Sequence, residues 1–256
     1  MIRMEEVKGL TLPPDIVRLF SLEFPSLSAD LLFVRASQFY GGKIQRMEEA
    51  TEEDWQWLYR NLDLVTELDP WFQDPYYMGN AFLTWDAGMI SEANMLLQKA
   101  TDARYWDWIF PFYLGFNKFY FQGDRVGGAE SLLKASERPG SWDLLPTLAA
   151  RLYYEVKKTD MAIAFMKEML ERELDPGTKR RYEIRLDALN KISFLEEAVE
   201  IYKSKMGVTP LRLEKLLDAM IIKEIPGDPY GGNFYIDKDG NIRTTSKLAF
   251  KSKAKE

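Results

Sequence analysis

In Asp237-Lys238-Asp239-Gly240-Asn241-Ile242, two carboxylates stand two residues apart ahead of a glycine and an isoleucine, a spacing that part of a calcium loop would use. The ends of that pattern are missing, because Tyr235 stands where the first ligand belongs and Ser246 where the bidentate acid belongs. The same residues read as a hairpin turn, with Phe234, Ile236 and Ile242 alternating around Asp239-Gly240. Two acidic pairs, Glu52-Glu53 and Glu196-Glu197, sit near expected helix starts, where they complement the positive end of the helix dipole. A glycosidase needs two carboxylates facing one cleft, and adjacency along the chain does not supply that. The sequence has no His and no Cys, which excludes disulfides, thiolate metal sites and His-dependent triads. No phosphate loop, nucleophile elbow or zinc motif is present. The expectation is therefore a non-catalytic chain with no catalytic residue, no metal ligand and no cofactor.

Aromatic residues are a second source of chemistry, because they are 14% of the chain and include seven Trp. The cluster Tyr105, Trp106, Trp108, Phe110, Phe112 and Tyr113 has rings that could stack on sugars or bases. Packing between helices accounts for the same density. A net charge of −6 disfavours general nucleic-acid binding, which relies on Lys and Arg neutralising phosphates. With 46% hydrophobic and 29% charged residues the chain is expected to fold. Its most apolar stretch, Tyr105 to Phe121, is interrupted by Asp107, Pro111 and Lys118 and is too short to cross a bilayer, so no membrane span is expected. No signal-peptide pattern opens the chain.

These residues must be positioned by helices. Met1 to Gly9 is expected to fray, Pro13-Pro14 to start a short helix over Asp15 to Phe24, and Ser26 or Ser28 to cap another through Tyr40 that Gly41-Gly42 stops. Thr51 caps a helix to Leu68, in which Trp55, Leu58, Leu62, Val65 and Leu68 form one apolar stripe. Pairs follow: Tyr76 to Asp86 with Ser91 to Ala103, Phe110 to Gln122 with Val126 to Ser136, and Trp142 to Val156, capped by Ser141, with Thr159 to Arg172. A fourth pair is expected from Asp175-Pro176 through Leu189 and then Phe194 to Lys205. Ala93, Ala129, Ala162 and Ala198 mark the second helix of each pair at intervals of 36, 33 and 36 residues. Such periods predict stacked helical hairpins. Beyond them, Thr209-Pro210 is expected to cap a helix over Leu211 to Ile222, ahead of the hairpin, and Arg243 to Glu256, with five basic residues and one acidic, to form a mobile basic tail.

In the first clear pair Tyr77, Ala81, Gly88, Ile90, Ala93, Leu97 and Ala100 fall on spacings similar to the tetratricopeptide repeat, with Ala81 where that pattern places a glycine. The resemblance covers roughly residues 51–206 and implies an all-α fold, a tetratricopeptide-like right-handed superhelix of antiparallel helix pairs, closed by a small C-terminal β-hairpin. Pro226-Gly227-Asp228-Pro229-Tyr230-Gly231, running into the hairpin, resembles the Asp-Pro-aromatic-Gly turn of the type II secretion pseudopilins over about residues 208–245. Leu12-Pro13-Pro14, Ser21-Leu22, Asp30-Leu31-Leu32 and Gln38-Phe39-Tyr40-Gly41 are similar to the start of some membrane-anchored bacterial tetratricopeptide proteins. Together these resemblances favour a periplasmic or cell-envelope setting over a cytoplasmic one, the alternative, and imply an association with pilus or secretion assembly.

The organisation read from the chain is 1–50 N-terminal helices, 51–206 tetratricopeptide-like repeats, 207–246 helix and hairpin cap, and 247–256 basic tail. In such a repeat the first helix of each pair lines the concave face. Carrying that spacing over, Met78, Phe82 and Trp85, then Lys118 and Phe121, then Arg151 and Tyr154 are expected to form an aromatic-walled groove with cations for an extended peptide or amphipathic helix. The alternative is that these aromatics fill the core between layers. The expected role is a protein-interaction scaffold with a protein or peptide partner; a cell-wall glycan-binding protein or enzyme with an aromatic cleft is the rival.

Overall fold

The computed structural model describes residues 24–249. The described residues are mostly helical, with one small antiparallel sheet of two strands. They divide into two compact units at Ser141 and Trp142, within the span read as repeats. The helix expected over Asp15 to Phe24, the fraying start and the last residues of the basic tail lie outside the described residues.

The first unit comprises α1 (Pro25–Arg46), α2 (Glu52–Leu68), α3 (Asp74–Ala81), a π-helical turn (Phe82–Asp86), α4 (Ile90–Ala103), α5 (Ile109–Tyr120) and α6 (Arg125–Ser136). Helix α1 does not stop at Gly41-Gly42 as expected. Its next turn places Lys43, only 7% exposed, 2.9 Å from the Asp54 carboxylate of α2, and this pair holds the helix beyond the glycines. Met47 ends it in the left-handed conformation. Thr51 does cap α2: its hydroxyl accepts from the Asp54 N–H, while the Asp54 carboxylate accepts from the Thr51 N–H at 2.8 Å. Asp54 therefore closes the α1–α2 turn from both sides.

The apolar stripes meet in a core built on Leu58, Leu62, Tyr76, Leu83, Leu96, Leu97 and Phe110. Ala93 and Ala129 are fully buried, as their period requires. Ala81 is exposed and is not the small residue of a first helix. Gly79 and Gly115, 36 residues apart, make the close approaches instead. A Cβ at Gly79 would fall 2.6 Å from Leu96 Cδ1, and one at Gly115 would fall 2.9 Å from the Gly128 carbonyl oxygen. Backbone cannot yield as a side chain can, so α5 and α6 need the Gly115 position empty.

Two arginines fasten consecutive inter-hairpin loops. Arg104 binds Asp107 through Nε and Nη2 (2.8 and 2.6 Å) and donates from Nη1 to the Trp71 carbonyl. Arg138, 34 residues on and 8% exposed, donates to the carbonyls of Thr101 (2.7 Å), Arg104 (3.1 Å) and Asp107 (2.6 Å).

The second unit comprises α7 (Leu145–Glu155), α8 (Thr159–Arg172), α9 (Pro176–Met206), a short α10 (Glu214–Asp218), β1 (Phe234–Ile236) and β2 (Ile242–Thr244). Three expectations are corrected here. Ser141 does not cap α7; its hydroxyl donates to the Ser136 carbonyl at 3.0 Å and the helix begins at Leu145. The helix expected over Leu211 to Ile222 shrinks to the five residues of α10. The expected fourth hairpin is one continuous helix of 31 residues, α9. Asn190-Lys191-Ile192-Ser193 holds no Gly or Pro to break it, Leu189 and Ile192 are fully buried, and Lys191 pairs with Asp187 one turn back at 2.8 Å. Asp175 caps its start through the Thr178 N–H (2.7 Å), and Gly207 ends it in the left-handed region.

The hairpin forms as expected, in the register Phe234↔Thr244, Tyr235↔Arg243, Ile236↔Ile242, with Gly240 at positive φ in its turn. Lys191→Pro tests the continuity of α9. An interior proline removes one ladder bond and clashes with the preceding turn, so urea unfolding should show a loss of about 3 kcal/mol or more. A variant as stable as the parent would place a turn there.

Candidate functional site

A cluster of aromatic side chains in the first unit sits where α3 and α5 end. Trp85 is 60% exposed and meets Phe121 edge to face, with ring centroids 5.0 Å apart. Tyr120, 61% exposed, stacks on Phe116 at 5.2 Å and meets Phe121 at 4.9 Å. Trp85 lies inside the π-helical turn, where the Ala87 N–H reaches back to the Phe82 carbonyl (3.0 Å). This wider turn swings the end of α3 out of the regular helical path, and such turns recur at functional positions.

A polar layer, buried at Asn80, Thr84 and Asn117 and reaching the surface at Gln122, lies next to these rings. Asn117 Nδ2 donates to Asn80 Oδ1 (3.0 Å) and Asn94 Oδ1 (3.1 Å), Thr84 donates to Asn80 Oδ1 (3.4 Å), and Asn94 Nδ2 donates to Gln122 Oε1 (3.1 Å). Thr84 precedes Trp85 and Gln122 follows Phe121, so the layer sets the register of both rings. Buried amides bonded to one another rigidify what they carry.

Beside the π-helical turn, a cleft of about 380 Å³ opens between Tyr40, Trp55, Asp86, Glu48 and Glu49. The Tyr40 hydroxyl donates to Asp86 at 2.7 Å, and its ring lies 5.2 Å from Trp55 and 4.2 Å from Phe82. Burial, with the hydrogen bond and charge of Asp86, pushes the Tyr40 phenol well above its usual range, so it stays a donor. Lys43, which also lines the cleft, pairs with Asp54, and Glu48 pairs with Arg46 at 2.9 Å, so Asp86 and Glu49 give the aromatic-walled mouth its acidic character.

The residues expected in the groove take different places. Trp85 and Phe121 come together at the exposed edge. Phe82 packs on Tyr40, and Met78 lies against the core, where its sulfur accepts from the Ser37 hydroxyl at 3.8 Å. Lys118 turns back to Ser131 at 3.3 Å. In the second unit Arg151 pairs with Glu155 at 3.0 Å. Tyr154 is interior, at 6% exposure: its hydroxyl donates to the Ile242 carbonyl at 2.8 Å, Arg243 covers its ring, and burial pushes its phenol up to about 12. It docks the hairpin and offers no surface to a partner.

Tyr120 and Phe116 were not anticipated, although Phe116 and Tyr120 are one helical turn apart and so share a face. The aromatic run after α4 divides: Phe110 is fully buried, whereas Tyr105 and Trp106 are exposed and meet edge to face at 5.0 Å, with Trp71 a further 6.3 Å from Trp106. The 35- and 36-residue steps from Trp71 to Trp106 to Trp142 are the signal that marks the loops between pairs.

The calcium-like loop is a turn. Asp237 accepts from the N–H groups of Asp239 and Asn241 (both 2.9 Å), from Asn241 Nδ2 (3.1 Å) and from Arg243 Nε (3.1 Å). Its oxygens are thereby occupied, and among the described residues no group of three or more His, Cys, Asp or Glu is placed to hold a metal ion. No described helix is long and apolar enough to cross a membrane.

Partial burial works against the Asp237 charge, but the hydrogen bonds from Asn241, Arg243 and Asp239 outweigh it and hold the carboxyl down at about 2. An unfolded Asp titrates near 3.9, so its contribution is complete above about pH 4 and disappears as pH falls toward 2. Amide protection in the hairpin should drop over that window, and Asp237→Asn should flatten the dependence. Hairpin protection in the parent that does not change from pH 4 to 2 would refute this role. Compared with known proteins, the chain matches no family model, no curated protein and no solved structure.

Proposed function

We propose that this chain is a non-catalytic scaffold that binds a protein or peptide partner through the edge formed by Trp85, Phe116, Tyr120 and Phe121. The observation that carries this reading is the exposure of Trp85 and Tyr120, with the half-buried Phe116 and Phe121 packed between them, next to the asparagine layer. Large aromatics held rigid lose little entropy on contact and dominate the energetics of protein interfaces. The acidic mouth beside Asp86 adds charge selectivity, favouring a basic side chain next to the apolar anchor. The tetratricopeptide-like, right-handed superhelical arrangement belongs to the same proposal and is tested by small-angle X-ray scattering. A profile of a compact sphere would overturn it. A cell-envelope setting and a part in pilus or secretion assembly follow from resemblance alone.

The rival glycan-binding or wall-enzyme reading draws on Trp71, Tyr105 and Trp106. Their interplanar angles of 70° and 87° present ring edges to one another and no flat platform. The wall-enzyme version also needs facing acids in a cleft. Glu196, whose carboxyl burial pushes up, accepts from the Thr159 hydroxyl at 3.1 Å and does not line the cleft beside Asp86.

The decisive experiment is a pull-down from native cells with the parent protein and with Trp85→Ala plus Phe121→Ala. The double variant should keep its melting temperature within a few degrees, since Trp85 is exposed and Phe121 only half-buried, and lose the specific partner bands. Equal recovery by the two proteins would remove the reading.

A further inference from the structure

The cleft beside the π-helical turn is lined from three places in the chain: α1, the α1–α2 connection with the start of α2, and the last residue of the π-helical turn. Tyr40 joins its walls. The ring of Tyr40 meets Trp55 at 5.2 Å, and its hydroxyl donates to Asp86 Oδ2 at 2.7 Å. An indole and a carboxylate therefore share one corner of the cleft. Tyr40 is only 9% exposed and Phe82 backs its ring at 4.2 Å, so this corner stands ready-made. Lys43, the cation in the lining, is met by the buried Asp54 at 2.9 Å. Asp54 in turn fixes the start of α2, and with it Trp55, through Thr51. Walls held in this way lose little freedom when a ligand enters.

The acids of the mouth are only partly balanced. Glu48 has Arg46 at 2.9 Å, but among the described residues no cation pairs with Asp86 or Glu49, and both are exposed. Asp86 is oriented without being neutralised, because the Tyr40 hydroxyl is an uncharged donor. An ionised carboxylate accepts at about four lone-pair sites, so Tyr40 takes one and leaves room for two further N–H groups. The cleft thus offers a positioned negative charge beside an aromatic face, inside a concavity large enough for a side chain.

We propose that this cleft receives an arginine side chain of the partner peptide, with its guanidinium against Trp55 and forked onto Asp86, and with Glu49 flanking it. The two parallel N–H groups of a guanidinium match a carboxylate, and its flat, weakly hydrated face packs on an indole. A lysine ammonium is a compact, strongly hydrated point charge and does neither. A quaternary ammonium donates no hydrogen bond and would leave Asp86 unanswered. The assignment deepens the peptide-scaffold reading and rests on it, yet it uses none of the rings of the Trp85–Phe121 edge.

The test titrates the isotope-labelled full chain with three blocked tripeptides, Gly-X-Gly with X as arginine, lysine or citrulline, at fixed ionic strength. The readout is the nuclear magnetic resonance signal of the Trp55 indole N–H, assigned by its loss in Trp55→Phe. The arginine peptide should shift that signal in a saturable way. The lysine peptide should bind about tenfold more weakly, and citrulline, which keeps the shape without the charge, should not bind. Asp86→Asn keeps an acceptor for Tyr40 but loses the charge, and should weaken arginine binding about tenfold or more with the melting temperature retained. Glu49→Gln, away from Tyr40, should weaken it about threefold. Trp85→Ala plus Phe121→Ala should bind the arginine peptide as the parent does, so a failure of the aromatic edge in the pull-down and a failure of the cleft are told apart. No Trp55 shift with the arginine peptide, equal binding of lysine or citrulline, or unchanged affinity in Asp86→Asn or Glu49→Gln would each overturn the proposal.

Discussion

A helix leaves its last carbonyls without partners, and in the first unit an arginine from the following hairpin answers them. Arg138 reaches back to Thr101, Arg104 and Asp107, and Arg104 reaches back to Trp71 in the same way. Burial lowers the proton affinity of Arg138 while Asp102, Asp107 and Glu137 oppose the effect, so it remains a cation among carbonyl dipoles. Each loop is thereby fixed to its predecessor before any apolar contact is considered. Removing such a buried guanidinium leaves three carbonyls to be solvated, a larger loss than a surface ion pair of the kind Lys134 makes with Asp102.

With the loops held at one end of the hairpins, the other end is free to carry the rings. The asparagine layer and the π-helical turn lie on that side, and the two depend on one another: the wider turn brings Thr84 to Asn80, and Asn80 to Asn117. Apolar residues would fill this space with less directional preference. Amides define a single arrangement, which keeps Trp85 and Phe121 in a perpendicular contact.

Much of this was legible in the sequence and some was not, for physical reasons. The helix pairs around Gly88 and Gly123 and the hairpin around Asp239-Gly240 were readable because only a few residue types tolerate positive φ at a turn. The continuity of α9 is not legible from period, which cannot tell a turn from a continuing helix; the deciding feature is the lack of any breaker between Leu189 and Phe194. Gly41-Gly42 failed as a stop for the opposite reason, since a long-range ion pair through Lys43 overrode local propensity. Among the expected groove residues, Trp85 and Phe121 were recoverable from their 36-residue spacing. Tyr154 was not, because the strand that covers it arrives from 88 positions further along the chain.

The length of α9 has a mechanical consequence. Thirty-one residues at 1.5 Å each make a rod of about 46 Å. Under tension, hairpins joined only by short turns yield one after another, each releasing a small length of chain. A rod with buried residues from Thr178 to Val199 has no such weak joint over that length, so the second half of this protein should resist pulling and then give way in a single large step.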